Sequence, residues 1–294
     1  MKKLTFIFDS FVFHNNKEIE ALGYHFIPLK VIVDDKVYED GLNNNAKEML
    51  QIYENAKSIK TSLPNIGKLE ELVHKLSEEY DDIVYLPISS ALSSTYSVSK
   101  VLEKEYPKFH VIDSCWASDM LLEGAKIIQK IYDKDQHLNN VENVLDKIKK
   151  ESLMYVLLGD VEYFIRGGRV GGLKKFTLNV LSKLRIYPFV KFHYNMASVA
   201  GLMRTMKKGV QSVINKMQEF AFKTKKNIKK IQDYFKIFIV EGNDKAVIDT
   251  ADSELSKIEA SFDARSTLYG AVAAHTGPGA IAIALFPSAD KFTY

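Results

Sequence analysis

Four polar clusters break otherwise apolar or helical sequence, and their side chains are of types that bind anions or turn chains. The densest follows the apolar run 83–88 and brings hydroxyls at Ser89, Ser90, Ser93, Ser94, Thr95, Tyr96, Ser97 and Ser99 before a helical pattern resumes. The others are Thr61-Ser62, the basic glycine-rich stretch 166–172 that holds Arg169, and His275-Thr276-Gly277-Pro278-Gly279. An apolar run, then hydroxyls, then helix reads as strand, loop and helix. Ser and Thr oxygens satisfy the free N–H groups at a helix start, which is a cap. The same hydroxyls together with helix N–H groups receive a carboxylate or phosphate, which is an anion site. Spacing alone favours the cap and leaves the anion site open.

Two other chemistries are weighed on the same residues. Gly277-Pro278-Gly279-Ala280-Ile281-Ala282 fits the Gly-x-Gly-x-x-Ala dinucleotide fingerprint, but that fingerprint must open a helix after a first strand and be followed by an acidic residue about 20 positions on. Here β-like sequence follows close to the end of the chain, and a nucleotide cofactor is rejected. Ser93, Asp113 and His275 supply the residue types of a hydrolase triad, yet no Gly-x-Ser-x-Gly elbow supports one. A serine-dependent lipid or ester hydrolase using Ser93 and His275 is the alternative function.

The elements that must position these residues fall into two halves. Apolar runs at 4–8, 26–33, 82–88 and 109–113 read as strands, the first and last ending in Asp9-Ser10 and Asp113-Ser114. Segments 17–22, 46–56, 66–76, 117–132 and 141–149 carry apolar residues at helical spacing, and Asp34-Asp35-Lys36 reads as a hairpin turn. Such alternation is the mark of a parallel, helix-covered sheet. The second half reads differently: strands over 153–158, 186–193, 197–203, 235–241 and 260–268, helices over 173–184, 206–231 and 245–258, and a strand-rich tail over 271–286. A boundary is expected near residue 152, giving α/β domains over 1–152 and 153–294.

Composition excludes several function classes. The chain has 294 residues, 46% hydrophobic and 26% charged, as ordinary globular proteins do. Its net charge of +3 argues against a nucleic-acid partner. One cysteine, Cys115, leaves no disulfide framework or multi-cysteine metal site and fits a cytoplasmic protein. No apolar run reaches the roughly 18 residues of a membrane span. The basic run Lys223, Lys225, Lys226, Lys229 and Lys230 reads as a solvated helix face, with transient docking to a membrane surface as its rival.

Taken in order, the motifs resemble the DegV family of fatty-acid-binding proteins, some of which are lipid-binding subunits of bacterial fatty acid kinase. The resemblance rests on Asp9-Ser10, Ile27-Pro28-Leu29-Lys30-Val31 with Tyr38-Glu39-Asp40-Gly41, and Thr61-Ser62-x-Pro64. It continues with Ile88-Ser89-Ser90-x-Leu92-Ser93-x-Thr95-Tyr96, Asp113-Ser114, and Glu162-Tyr163 followed by Gly167-Gly168-Arg169. Arg204-Thr205 with Lys207-Lys208 and His275-Thr276-Gly277-Pro278-Gly279 complete it. It implies a parallel α/β domain, a second α/β domain with a mixed or antiparallel sheet, and a long-chain fatty acid such as palmitate or oleate held between them. By motif position it makes Thr61 and Ser93 the carboxylate-binding hydroxyls, with Ser62 adjacent and His275 lining the head-group region. It places Arg169 and Arg204 near the head group or a kinase-docking surface. The implied protein is a non-catalytic carrier without metal or cofactor, partnered by an ATP-binding kinase subunit. Two departures stand out: Ser94 replaces a usual glycine, and Cys115-Trp116 is an unusual pair that would put Trp116 on the tunnel wall.

Overall fold

The computed structural model describes residues 2–42, 46–160, 162–163 and 186–293, with the backbone alone for Glu54 and Tyr187. It divides into two compact units, Met1–Asp146 with Tyr269–Ala271, and Lys147–Leu268 with Val272–Tyr294.

In the first unit, β1 (Leu4–Asp9) lies between β2 (His25–Ile27) and β6 (Asp82–Leu86), and β6 continues to β7 (Phe109–Val111). All three pairings are parallel. Their near-continuous apolar composition follows from burial on both faces: Phe6, Ile7, Phe8, Ile83, Val84 and Tyr85 are fully buried. Helix α1 (Asn16–Ala21) starts with a capping box between Asn15 and Glu18. On α3 (Ile66–Glu79), Leu69, Val73 and Leu76 share one face and pack with Ile7, Tyr85 and Phe109. Helix α5 (Asp119–Asp135) buries Leu121, Ile128 and Ile131.

The segment 26–33, expected as one strand, is two. Pro28 has no N–H to continue a ladder, so β2 ends at Ile27 and β3 (Lys30–Val33) starts a separate antiparallel sheet of order β4-β3-β5. Its hairpin to β4 (Lys36–Glu39) turns at Asp34 and Asp35, at φ 47 and 70, as the sequence predicts for a tight turn. The third member, β5 (Ile59–Ser62), is a strand where the sequence suggested only an interruption before Pro64. Four residues with one apolar side chain display too little of a period to read. Helices α2 (Ala46–Glu54), α4 (Thr95–Ser99) and α6 (Val141–Glu151) complete the first half of the chain.

The second unit holds β8 (Leu153–Leu157), β9 (Tyr187–His193), β10 (Met196–Met203), β11 (Phe235–Glu241), β12 (Ala264–Thr267) and β13 (Ile281–Pro287) in the order β10-β9-β8-β13-β11-β12. Only β11 with β12 is parallel, so the sheet is mixed. One face packs on α7 (Met206–Thr224) through Val210, Ile214 and Met217 and on α8 (Lys245–Lys257) through Val247, Ala251 and Leu255. The expected helix 206–231 is shorter than its pattern. Lys225 turns extended at φ −127, its ammonium lying 2.8 Å from Glu151 and over the Tyr234 ring. The Asp233 carboxylate then accepts from the N–H groups of Lys229 and Lys230. Only Lys223 of the basic run therefore lies on the helix. The tail expected as strand contains α9 (Gly270–Thr276), whose alanines are strong helix formers. It stops at Gly277, with φ 82.

Candidate functional site

Ligands of parallel α/β sheets gather outside the carboxyl ends of the strands, and in the first unit that edge is organised by buried carboxyls. Asp9, at the end of β1, is fully buried and accepts from the N–H of Phe11 at 2.9 Å, the N–H of Ile88 at 2.8 Å and the Tyr85 hydroxyl at 3.4 Å. It thus ties the exit of β1 to the exit of β6. Burial pushes its carboxyl up to about 6 against the pull of those donors. The next residue, Ser10, accepts from Leu29 N–H at 2.8 Å and donates to the Asp40 carbonyl at 2.7 Å. Asp40 is also buried, and its carboxylate accepts from Gly270 and Ala271 N–H at 3.1 and 2.8 Å. Burial, with a smaller contribution from the charge of Asp9, raises Asp40 to about 7. The Tyr53 hydroxyl donates to the Gly270 carbonyl at 2.6 Å.

From Ile88 the chain enters the hydroxyl loop, where Ser89, Ser90 and Ser93 have distinct partners. Ser89 Oγ lies 3.2 Å from Cys115 Sγ and accepts from Ala91 N–H. Ser90 donates to Asp113 through both its N–H and its hydroxyl. Ser93 Oγ lies 2.8 Å from Thr95 Oγ1 and accepts from Thr95 N–H at 3.2 Å. The backbone N–H of Ser93 in turn donates to the Ser89 carbonyl at 3.0 Å. Helix α4 begins at Thr95, and Ser94 in its N-cap position makes no side-chain cap bond. Ser93 therefore meets the helix start. The Asp113 carboxylate is engaged by Ser90, while His14 and His110 pair with Asp119 and Asp82. That arrangement joins neither Asp113 nor Ser93 to a histidine of this unit.

Thr61 and Ser62 are successive residues of β5, opposite Val31 and Lys30 of β3. Their side chains face opposite sides of the strand; Thr61 is half-buried and Ser62 exposed. Trp116 is buried and packs on α5 where Gly124 leaves room for its ring. A Cβ at that position would collide with the indole.

His275 and Arg204 belong to the second unit. His275 is half-buried in the last turn of α9. The turn after it is clamped by two glycines that sequence reasoning did not single out. Gly159, just past β8, donates to the Thr276 carbonyl at 3.0 Å and lies against the backbone of Gly279 and Ala280. Gly242, just past β11, lies against the carbonyls of Pro278 and Ala280, and Asn243 N–H donates to the Pro278 carbonyl. Each is a glycine followed by a polar residue at the end of an apolar run, which was the available signal. The dinucleotide fingerprint runs into strand β13 at Ile281 and opens no helix, as the sequence indicated. Arg204 is exposed between β10 and the Thr205 cap of α7. Arg169, the stretch 166–172 and the expected helix 173–184 lie outside the described residues. Among the described residues no cluster of three or more His, Cys, Asp or Glu is arranged for a metal, and no helix is long and apolar enough to cross a membrane.

Comparison with known proteins adds a family and a fold. A family model described as "Uncharacterised protein, DegV family" matches residues 3–288. A DegV domain-containing protein of Clostridium acetobutylicum is 29% identical over 300 residues, covering 97% of this chain and 99% of its own. One of Mycoplasmopsis pulmonis is 23% identical, covering 96% and 94%. A Thermus thermophilus structure, described as fatty acid binding of a DegV family protein, superposes with a TM-score of 0.82 at 21% identity, covering 97% of this chain and 99% of its own. A stearic acid-binding protein of Eubacterium ventriosum gives 0.83 at 20% identity, covering 99% and 100%.

Proposed function

Because the chain belongs to the DegV family, we propose that it binds a long-chain fatty acid, burying the acyl chain and holding the carboxylate with hydroxyls. The observation that carries this reading is Ser93, whose hydroxyl joins the Thr95 hydroxyl and N–H at the start of α4, beyond the carboxyl end of β6. The fatty acids named for the Thermus and Eubacterium proteins support the ligand class.

A fatty acid has ends with opposite needs. Burying an alkyl chain yields about 0.8 kcal/mol per methylene, on the order of 10 kcal/mol for roughly 16 carbons before association costs. Its carboxylate must exchange water for donors, since an unpaired buried charge costs several kcal/mol. Thr61 and Ser93 are the hydroxyls assigned to it, with His275 as the head-group residue carried over from the motif. Ser62, on the other face of β5, is left out of that set. Trp116 is assigned a place along the acyl chain. Neutral donors leave the carboxylate reactive, so the chain acts as a non-catalytic carrier in the cytoplasm that presents the acid to an ATP-binding kinase subunit for acyl phosphate formation. Arg169 and Arg204 are the residues proposed to serve the head group or that docking.

Mass spectrometry of organic extract from the purified protein tests the ligand class, with a co-purifying fatty acid as the expected result. Delipidated protein is expected to take up palmitate or oleate, and failure of both experiments overturns the reading. Hydroxylamine trapping of acyl phosphate, with and without the cognate kinase subunit, tests presentation. Product formed by the chain alone would contradict the carrier role.

A further inference from the structure

We propose that Asp9 is a positioning residue for the hydroxyl loop: its carboxylate fixes the exit of β6 from which Ser93 follows, and its protonation loosens that loop. Its effect on ligand affinity rests on the fatty-acid reading of Ser93.

The geometry is one of a buried bracket. Asp9 Oδ1 accepts from Phe11 N–H and Oδ2 from Ile88 N–H and the Tyr85 hydroxyl, so both oxygens are in use and the charged form matches its three donors. Ile88 is the residue through which β6 passes into Ser89, and the Ser89 carbonyl accepts the N–H groups of both Leu92 and Ser93. The path from Asp9 to the Ser93 hydroxyl is therefore a run of hydrogen bonds and a single short stretch of chain. A proton on Oδ2 takes one of the lone pairs that Ile88 N–H and the Tyr85 hydroxyl share and removes the charge that strengthens both bonds, so the hold on Ile88 weakens. The titratable groups facing Asp9 are Tyr85 from β6 and Asp40 from the residues after β4. Burial raises Asp9 to about 6, within reach of ordinary assay conditions.

The experiment compares wild type with Asp9→Asn, which keeps the shape and cannot accept at both positions. Palmitate affinity of the delipidated proteins is measured between about pH 5 and pH 8. Wild type is expected to bind roughly tenfold more tightly than D9N at the upper end, and the ratio is expected to fall toward unity below about pH 6. Protonation of palmitate itself is common to both proteins and cancels in the ratio. Hydrogen exchange at Ile88 and Ser93 in ligand-free protein, scaled to intrinsic rates, is expected to show protection lost on acidification in wild type alone. Tyr85→Phe keeps the ring, removes one donor that favours the charged form, and is expected to move the wild-type midpoint to higher pH; it serves if D9N does not fold. A ratio near unity at pH 8, or one that stays constant with pH, overturns the role of Asp9. If wild type does not bind palmitate, the proposed function falls and the exchange at Ile88 alone decides for or against Asp9.

Discussion

Replacing Ser93 by Ala separates the two tasks assigned to that hydroxyl. In the ligand-free protein Ser93 Oγ accepts the N–H of Thr95 and lies 2.8 Å from its hydroxyl, and Thr95 is fully buried. Removing the oxygen strands both groups, a loss of about 1 to 2 kcal/mol in folding stability by analogy with helix caps and unsatisfied buried donors. If the same oxygen also meets a carboxylate, the variant loses a hydrogen bond to a charged group, about 1.5 to 3 kcal/mol, or roughly 10- to 150-fold in palmitate affinity. Urea unfolding reads the first quantity and isothermal titration of delipidated protein the second. Ser62→Ala is the control: its hydroxyl is exposed on the opposite face of β5 from Thr61, so both quantities should change by less than about 0.5 kcal/mol. A Ser93→Ala protein that is less stable but binds palmitate as wild type does would leave Ser93 a cap and refute its ligand role. An equal loss of affinity in Ser62→Ala would refute the assignment of faces.

Gly242→Ala would drive a Cβ into the carbonyls of Pro278 and Ala280; we expect a stability loss of about 1 to 3 kcal/mol, measured by thermal unfolding. Asp40 binds its proton more tightly in the folded protein, at about 7 against the ordinary 3.8, so its contribution to stability is most favourable at acid pH and declines as pH rises through that window. Urea midpoints should therefore show a decline between pH 5 and pH 8 in wild type that is smaller in Asp40→Asn, and equal slopes would contradict the account. Trp116→Ala empties a buried indole site packed on Gly124 and should cost about 3 to 5 kcal/mol. A change in the length of the co-purifying acyl chain on milder replacement by Phe would place residue 116 along the ligand.

Strands of the parallel sheet such as β1 and β6 were legible because burial on both faces writes them as plain apolar runs. The hairpin was legible because only certain residues accept the backbone that Asp34 and Asp35 adopt. Strand β5 was not, since its neighbours across the sheet, not its own pattern, make it a strand. The end of α7 was hidden for a related reason. Lys225 is a good helix former by itself, and what draws it away is a carboxylate 74 residues earlier in the chain. Helix α9 was mistaken for strand because Ala271 to Ala274 sit beside a turn that resembles other turns. The hydroxyl loop could be found by its composition, but the division of labour among its members depends on Asp113, Cys115 and Asp9, which only the fold brings beside them. Asp40 was quoted within a motif without a role, because its partners lie 230 and 231 residues further on.

That last separation has a consequence for how the protein is made. Residues 269–271 count with the first unit although nearly the whole chain precedes them. On a ribosome adding about 5 to 20 residues per second, Asp40 and Tyr53 wait on the order of 10 to 50 s for Gly270 and Ala271. During that interval the parallel sheet can assemble, but Asp40 remains without the two N–H groups that receive its carboxylate in the finished molecule. A nascent chain halted before residue 269 would expose this as an N-terminal half more open to protease than the same residues in the released protein.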